Sequence, residues 1–182
     1  MNYANIKTYS IENGTGVRVS LFVSGCTHHC KGCFNSVAWD FQYGQAYTLE
    51  TEQEILQALA PDYIRGLSLL GGEPMEPENQ HGLLQLAKRA KALHPEKSIW
   101  CYTGDVYEDL VDAASPRHTE ETDELLGLID VLVDGPYIDS LRDITLRFRG
   151  SSNQRVIDMN ETRKTGEVVL WKDEEVYSTH SM

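Results

Sequence analysis

The sequence predicts an α/β fold on a mainly parallel sheet. Two observations predict it: short apolar, β-branched runs alternate with segments of helical periodicity, and four cysteine- or glycine-bearing turns each follow a different run. Alternation of this kind implies parallel strands joined by crossover helices. In such architectures the C-terminal strand ends open onto one face, so the four turns should share one mouth. The 182 residues make a single domain, 1–182, too short for a complete eight-fold barrel of about 250 residues.

The elements follow in order. Val17 to Val23 is a β-branched strand that ends at a cysteine-rich loop. Thr51 and Glu54 have the spacing of a capping box, opening a helix through Ile55, Leu56 and Leu59 that Pro61 stops. Gly66 to Leu70 is a short buried strand ending at Gly71-Gly72, and Leu83, Leu86, Ala87, Ala90 and Leu93 mark a second helix before Pro95. Ser98 to Tyr102 is the next strand, with Cys101 as a buried core thiol. A helix through Leu125, Leu126 and Ile129 leads to the strand Asp130 to Val133, and Gln154 to Ile157 and Val168 to Trp171 are further strand candidates. The acidic cluster Glu120, Glu121, Asp123 and Glu124 suits a solvated helix start, at the positive end of the helix dipole.

Composition narrows the partners. With 28 acidic against 16 basic residues the formal charge is −12, which argues against a basic face for nucleic acid. No apolar run approaches the roughly 20 residues of a membrane helix, and Met1 to Asn5 lacks the apolar core of a signal peptide. A cytoplasmic protein with no membrane partner is expected.

The chemistry sits in Ser24-Gly25-Cys26-Thr27-His28-His29-Cys30-Lys31-Gly32-Cys33-Phe34. A 4Fe-4S cubane usually takes four thiolates, so Cys26, Cys30 and Cys33 would leave one iron open to another ligand. Structural zinc could also close on these three with His29, although such sites usually join two separated pairs. A disulfide is disfavoured by four cysteines without a signal peptide. On the cysteines alone, cluster, zinc and inert thiols all stand.

Beyond the loop, Leu69-Leu70-Gly71-Gly72-Glu73-Pro74 follows the next strand, and the pair of motifs resembles the radical S-adenosylmethionine family. Asn13 to Arg18, Leu21 to Cys26, Trp100 to Gly104, Val131 to Gly135 and Arg149 to Gln154 are similar to its glycyl-radical-enzyme activase branch, in particular to the activators of the anaerobic ribonucleoside-triphosphate reductase. Glu73 stands where aspartate is common in that branch, and Pro136 where lysine is frequent. The motif-bearing core is about 13–157, and nothing is carried over onto the tail, 158–182.

The resemblance implies an open partial (β/α) barrel with a cluster at its top. Cys26, Cys30 and Cys33 would ligate one 4Fe-4S cluster, and its open iron would hold the amino and carboxylate groups of S-adenosyl-L-methionine. Gly71, Gly72 and Glu73 would receive the methionyl group, while Gly32 and Phe34, flanking Cys33, would lie against the adenosyl portion. Asp134 either orients the substrate carboxylate through a bound cation or caps the following turn. No catalytic side chain is implied beyond the cluster and its ligands. Reductive cleavage would give a 5′-deoxyadenosyl radical that takes a hydrogen atom from a glycine of the partner reductase, with reduced flavodoxin or a similar donor supplying electrons. His28 and His29 are expected to be solvated, Asn153 and Arg155 to be shared activase positions or surface pairs, and Arg18 and Trp39 carry no derivable role. Alternative readings are an activase of another glycyl-radical enzyme of the pyruvate formate-lyase type, a small-molecule radical enzyme, and a zinc-stabilised binding module.

Overall fold

Seven strands form one sheet in a computed structural model that describes residues 1–173. In chain order they are β1 (Asn2–Ser10), β2 (Val17–Val23), β3 (Gln45–Ala46), β4 (Ile64–Gly71), β5 (Ser98–Tyr102), β6 (Val131–Asp134) and β7 (Arg155–Asp158). Spatially the order is β3-β1-β2-β4-β5-β6-β7. The centre, β2 through β6, is parallel as expected. Both edges are antiparallel, so the sheet is mixed. Among the described residues five α-helices accompany it: α1 (Leu49–Ala58), α2 (Pro77–Leu93), α3 (Tyr107–Val111), α4 (Thr122–Leu128) and α5 (Met159–Thr165).

Strand alternation gives the sheet two unlike faces. Val19, Leu21, Val23, Leu67, Leu69, Ile99, Cys101 and Leu132 lie in the main core with Ile55 of α1, Leu83 of α2 and Leu125 of α4. The opposite face carries Arg18, Ser20, Ser68 and Trp100, all but sealed from solvent. Arg18 explains itself here. Its guanidinium donates to Ser68 Oγ, Leu67 O and Ser98 O at 2.8 Å each and lies over the Trp100 ring at 5.5 Å. It thereby ties β2, β4 and β5 together. Among the described residues no carboxylate pairs with it, and burial pulls its pKa down to about 10.

Several expectations are corrected. The α1 capping box lies three residues upstream of the predicted one: the Thr48 hydroxyl accepts from the Thr51 amide, and the Thr51 hydroxyl accepts from the Thr48 amide. Glu54 is an exposed position inside the helix. Leu93, expected on the apolar face of α2, is 61% exposed. Asp130 precedes β6 and closes the turn instead, its carboxylate accepting from the Ile99 amide and Lys91 Nζ at 2.7 Å. Val168 to Trp171 makes only an isolated bridge between Leu170 and Ile157. The acidic cluster does open a helix, with Asp123 and Glu124 in the first turn of α4.

Candidate functional site

The C-terminal ends of β2, β4, β5 and β6 meet at a cleft of about 660 Å³. Cys26, Cys30, Gly32, Cys33, Phe34, Gly71, Gly72 and Glu73 line it together with Thr103-Gly104, Gly135 and a loop containing Phe148. All the predicted site residues except Asp134 are therefore brought together.

The cysteine loop is pinned where it begins. Gly25 N donates to Ala38 O at 2.8 Å and Cys26 N to Trp39 O at 3.2 Å, seating the loop on the 3-10 turn Ser36–Trp39. Trp39 also stacks on His29, ring centroids 4.6 Å apart, which gives both residues a role that the sequence reading lacked. Within the loop, His29 and Gly32 take positive φ values of 48° and 78°, and Cys33 N donates to Cys30 O. Cys26 is buried and its thiol is pushed up to about 11 by that burial, whereas Cys30 and Cys33 are half-buried. Phe34, at 91% exposure, stands in solvent beside them. Cys101 lies in the core under the helices, outside the cleft.

These thiols suit a cluster better than one ion. Thiolates at about 2.3 Å from a zinc crowd together at roughly 4 Å. Among the described residues the one group of three His, Cys, Asp or Glu donor atoms within 4.8 Å of one another is that of His28, Glu73 and Asp105, with no cysteine sulfur in it. A cubane, broader than a single ion, takes ligands that stand further apart.

Gly71 and Gly72 stitch β4 to this loop. Gly72 N donates to Val23 O at 2.7 Å and Glu73 N to Gly25 O at 2.8 Å. A Cβ on Gly72 would stand 2.5 Å from Gly25 O and 2.7 Å from Ala38 O; one on Gly71, where φ is +121°, would meet the Val23 backbone at 2.5 Å. The need for glycine is thus created by the protein's own backbone. Glu73, 1% exposed, spends its carboxylate internally: Oε1 accepts from Met75 N at 2.8 Å and Oε2 from Gly104 N at 2.7 Å.

His28 is not the solvated residue expected of a loop. Its Nε2 lies 3.1 Å from Glu73 Oε2 and 3.3 Å from Asp105 Oδ2. Asp105, and then Glu73, raise its pKa to about 10, so the ring is held as a cation. Arg117 joins the network, with Nε 3.1 Å from the same Asp105 oxygen, an ion pair to Glu76, and Nη2 donating to Thr27 Oγ1 at 2.7 Å. Glu76 Oε1 in turn accepts from both Thr27 N and Thr27 Oγ1 at 2.7 Å. Two cations and three carboxylates thereby clamp the first half of the cysteine loop. The guanidinium beside Asp105 and the amide on Glu73 make the His28, Glu73 and Asp105 group an ion-pair network, not a cation cage.

Asp134 faces away from the cleft. It is fully buried, and its carboxylate accepts from Tyr107 N at 2.8 Å and Arg155 Nε at 3.0 Å. Tyr107 is the first residue of α3, so the Asp134 carboxylate meets the start of a helix from an earlier part of the chain. Arg155 is a bridge, reaching Glu108 as well at 2.7 Å, and both acids raise its pKa. Asn153 Nδ2 donates to Pro136 O at 2.8 Å. Gln154, given no site role in sequence, accepts from Gly150 N and Ser151 N and donates to Gly135 O at 3.0 Å, which fixes the loop over the cleft.

Comparison with known proteins bears directly on this arrangement. A family model described as a 4Fe-4S single cluster domain matches residues 12–157. The chain is 44% identical to the anaerobic ribonucleoside-triphosphate reductase-activating protein of Vibrio cholerae, over 85% of this chain and 96% of that one. It is 40% identical to the proteins of the same name from phage T4 and Escherichia coli K12, over 86% of this chain and 93% and 97% of theirs. The chain belongs to this activating-protein family. The 4Fe-4S domain thus spans all four strand ends that build the cleft. Among the described residues no helix is long and apolar enough to cross a membrane.

Proposed function

We propose that this protein cleaves S-adenosyl-L-methionine reductively at a 4Fe-4S cluster and generates a glycyl radical on an anaerobic ribonucleoside-triphosphate reductase. The observation that carries this reading is the placing of three of four cysteines at one strand-end cleft in a chain that shares 40–44% identity with such activators over nearly their whole length. Cys26, Cys30 and Cys33 would hold the cluster. When bound and reduced, it supplies an electron that splits a carbon–sulfur bond of the sulfonium, giving methionine and a 5′-deoxyadenosyl radical that takes a hydrogen atom from a glycine Cα.

The protein residues position and shield. Backbone groups at Gly71 and Gly72 would receive the methionyl ammonium. Glu73 would act mainly by shaping that turn, since its oxygens already accept from Gly104 and Met75. Gly32 leaves room for the adenosyl portion, and the free ring of Phe34 would pack against it. Asp134 would serve indirectly, by fixing the α3 start and Arg155 beside the Gly135 turn. We read the mixed sheet, with helices on one face and a cleft at its strand ends, as the open partial barrel of radical S-adenosylmethionine enzymes. A reduced flavodoxin or similar low-potential protein would be the electron donor, and the cytoplasm the setting.

Anaerobic reconstitution tests the ligand set. The parent and Cys101→Ala should each carry about four irons per chain and release 5′-deoxyadenosine on reduction with S-adenosyl-L-methionine. Cys26→Ala, Cys30→Ala and Cys33→Ala should each lose the cluster and the release. A colourless parent with one zinc, or loss of iron in the Cys101 variant alone, contradicts the assignment.

A further inference from the structure

The C-terminal segment beyond the shared domain reaches back to the cleft wall. The family match ends at residue 157. After α5, Gly166 turns the chain at φ +75°. The returning segment lies along β7: Asp158 N donates to Val169 O at 2.9 Å and Trp171 N to Val156 O at 2.8 Å. This docking delivers the Trp171 ring to the sheet face that bears Trp100. The two rings meet edge-on at 5.4 Å, and each meets Phe148 edge-on, at 5.9 Å from Trp171 and 5.0 Å from Trp100.

Phe148 is the link to function. It belongs to the loop Arg142 to Gly150, most of which lines the cleft. Its φ of +61° is a left-handed conformation that a bulky residue holds only when its surroundings impose it. Those surroundings are Trp100 beneath, Trp171 beside, and Arg147 over its own ring at 4.6 Å. Arg147 is in turn ion-paired to Asp173, at the end of the described chain. Of the three groups packed on Phe148, Trp171 comes from the C-terminal segment and Arg147 is anchored to that segment through Asp173.

We infer that Val168 to Asp173 is a brace that sets the cleft wall, with Trp171 as a positioning residue for the ligand held there. The ligand clause rests on the proposed reading of the cleft as the S-adenosyl-L-methionine site. The brace itself rests only on the aromatic triad and the Arg147 pair.

Two readouts on the reconstituted full-length protein separate these layers: tryptic cleavage after Arg142, Arg147 and Arg149, and S-adenosyl-L-methionine affinity at matched iron content. Trp171→Ala should speed cleavage of the loop and weaken ligand affinity by about tenfold each, with iron content and far-UV dichroism unchanged. Trp171→Phe should restore both to within about twofold, because a ring edge remains. Asp173→Asn, an exposed change that removes only the Arg147 pair, should speed cleavage by about threefold. Parent-like cleavage in Trp171→Ala and Asp173→Asn overturns the brace, and Asp173→Asn decides alone if the alanine variant does not fold. Faster cleavage with unaltered affinity overturns the positioning role. If the parent binds no S-adenosyl-L-methionine, the proposed function fails, and the cleavage rates still decide the brace.

Discussion

Gly72 and His28 owe their roles to partners far away in sequence. Gly72 is crowded by Gly25 O and Ala38 O, two backbone oxygens that cannot swing aside. A methyl group there must push the cysteine loop off the end of β4. Gly72→Ala should therefore lower iron retention on gel filtration and destabilise the protein by about 1–3 kcal/mol, read by thermal melting. A variant that keeps its iron and its melting temperature but loses S-adenosyl-L-methionine affinity would place the glycine's duty at the ligand. The three cleft cysteines were legible in sequence because their chemistry is local, set by spacing within eight residues. His28 was not, because a solvated turn histidine and a clamped one look alike until Glu73 and Asp105 are brought to within 3.3 Å. Asp134 was legible as a strand-end acid, but the helix amide and the guanidinium that occupy it come from elsewhere in the chain.

Elements were read well where periodicity was strong and poorly where caps or edges decided. The α1 apolar face fixed the helix but not its start, since Thr51-x-x-Glu54 and Thr48-x-x-Thr51 both offer a hydroxyl three residues before a polar side chain. Thr48→Ala should cost about 1 kcal/mol, roughly 2–4 °C of melting temperature in a chain of this size, whereas Glu54→Ala should fall within about 0.5 kcal/mol of the parent. Equal losses at both sites would contradict the observed cap. β1 escaped prediction because a strand flanked on its outer side only by the two residues of β3, with alternating exposed residues, Asn5, Lys7 and Tyr9 among them, carries no apolar run. The loop between α3 and α4 drew no reading in sequence, yet its Arg117 joins Asp105 to Glu76 and Thr27. Arg117→Gln leaves two largely buried carboxylates short of a partner and should destabilise by about 3 kcal/mol, with faster loss of iron under a chelator. Parent-like iron retention in that variant would remove the clamp from the account.

At the scale of the whole molecule, one sheet separates two jobs. The face under α1, α2 and α4 supplies the apolar core, and the strand ends supply the cleft. The parallel centre was legible because strand and helix patterns alternate through β6, and the convergence of four motifs followed from that topology. The antiparallel edges were not legible, because pairing direction at β1 and β7 depends on chain reversals that leave no periodic trace. The proposed function joins this cleft to a protein substrate: three thiols would hold a cluster, the glycine turn would hold S-adenosyl-L-methionine, and the mouth would admit a glycine from the reductase. Electron paramagnetic resonance tests it most directly. Reduced, reconstituted protein mixed anaerobically with S-adenosyl-L-methionine and the anaerobic ribonucleoside-triphosphate reductase should place a doublet, split by one α-hydrogen, on a glycine of the reductase. Replacing that glycine by alanine should abolish the doublet while slow release of 5′-deoxyadenosine persists. A fully iron-loaded protein that leaves the reductase without a glycyl radical, yet activates a pyruvate formate-lyase or turns over a small molecule, would contradict the proposed function.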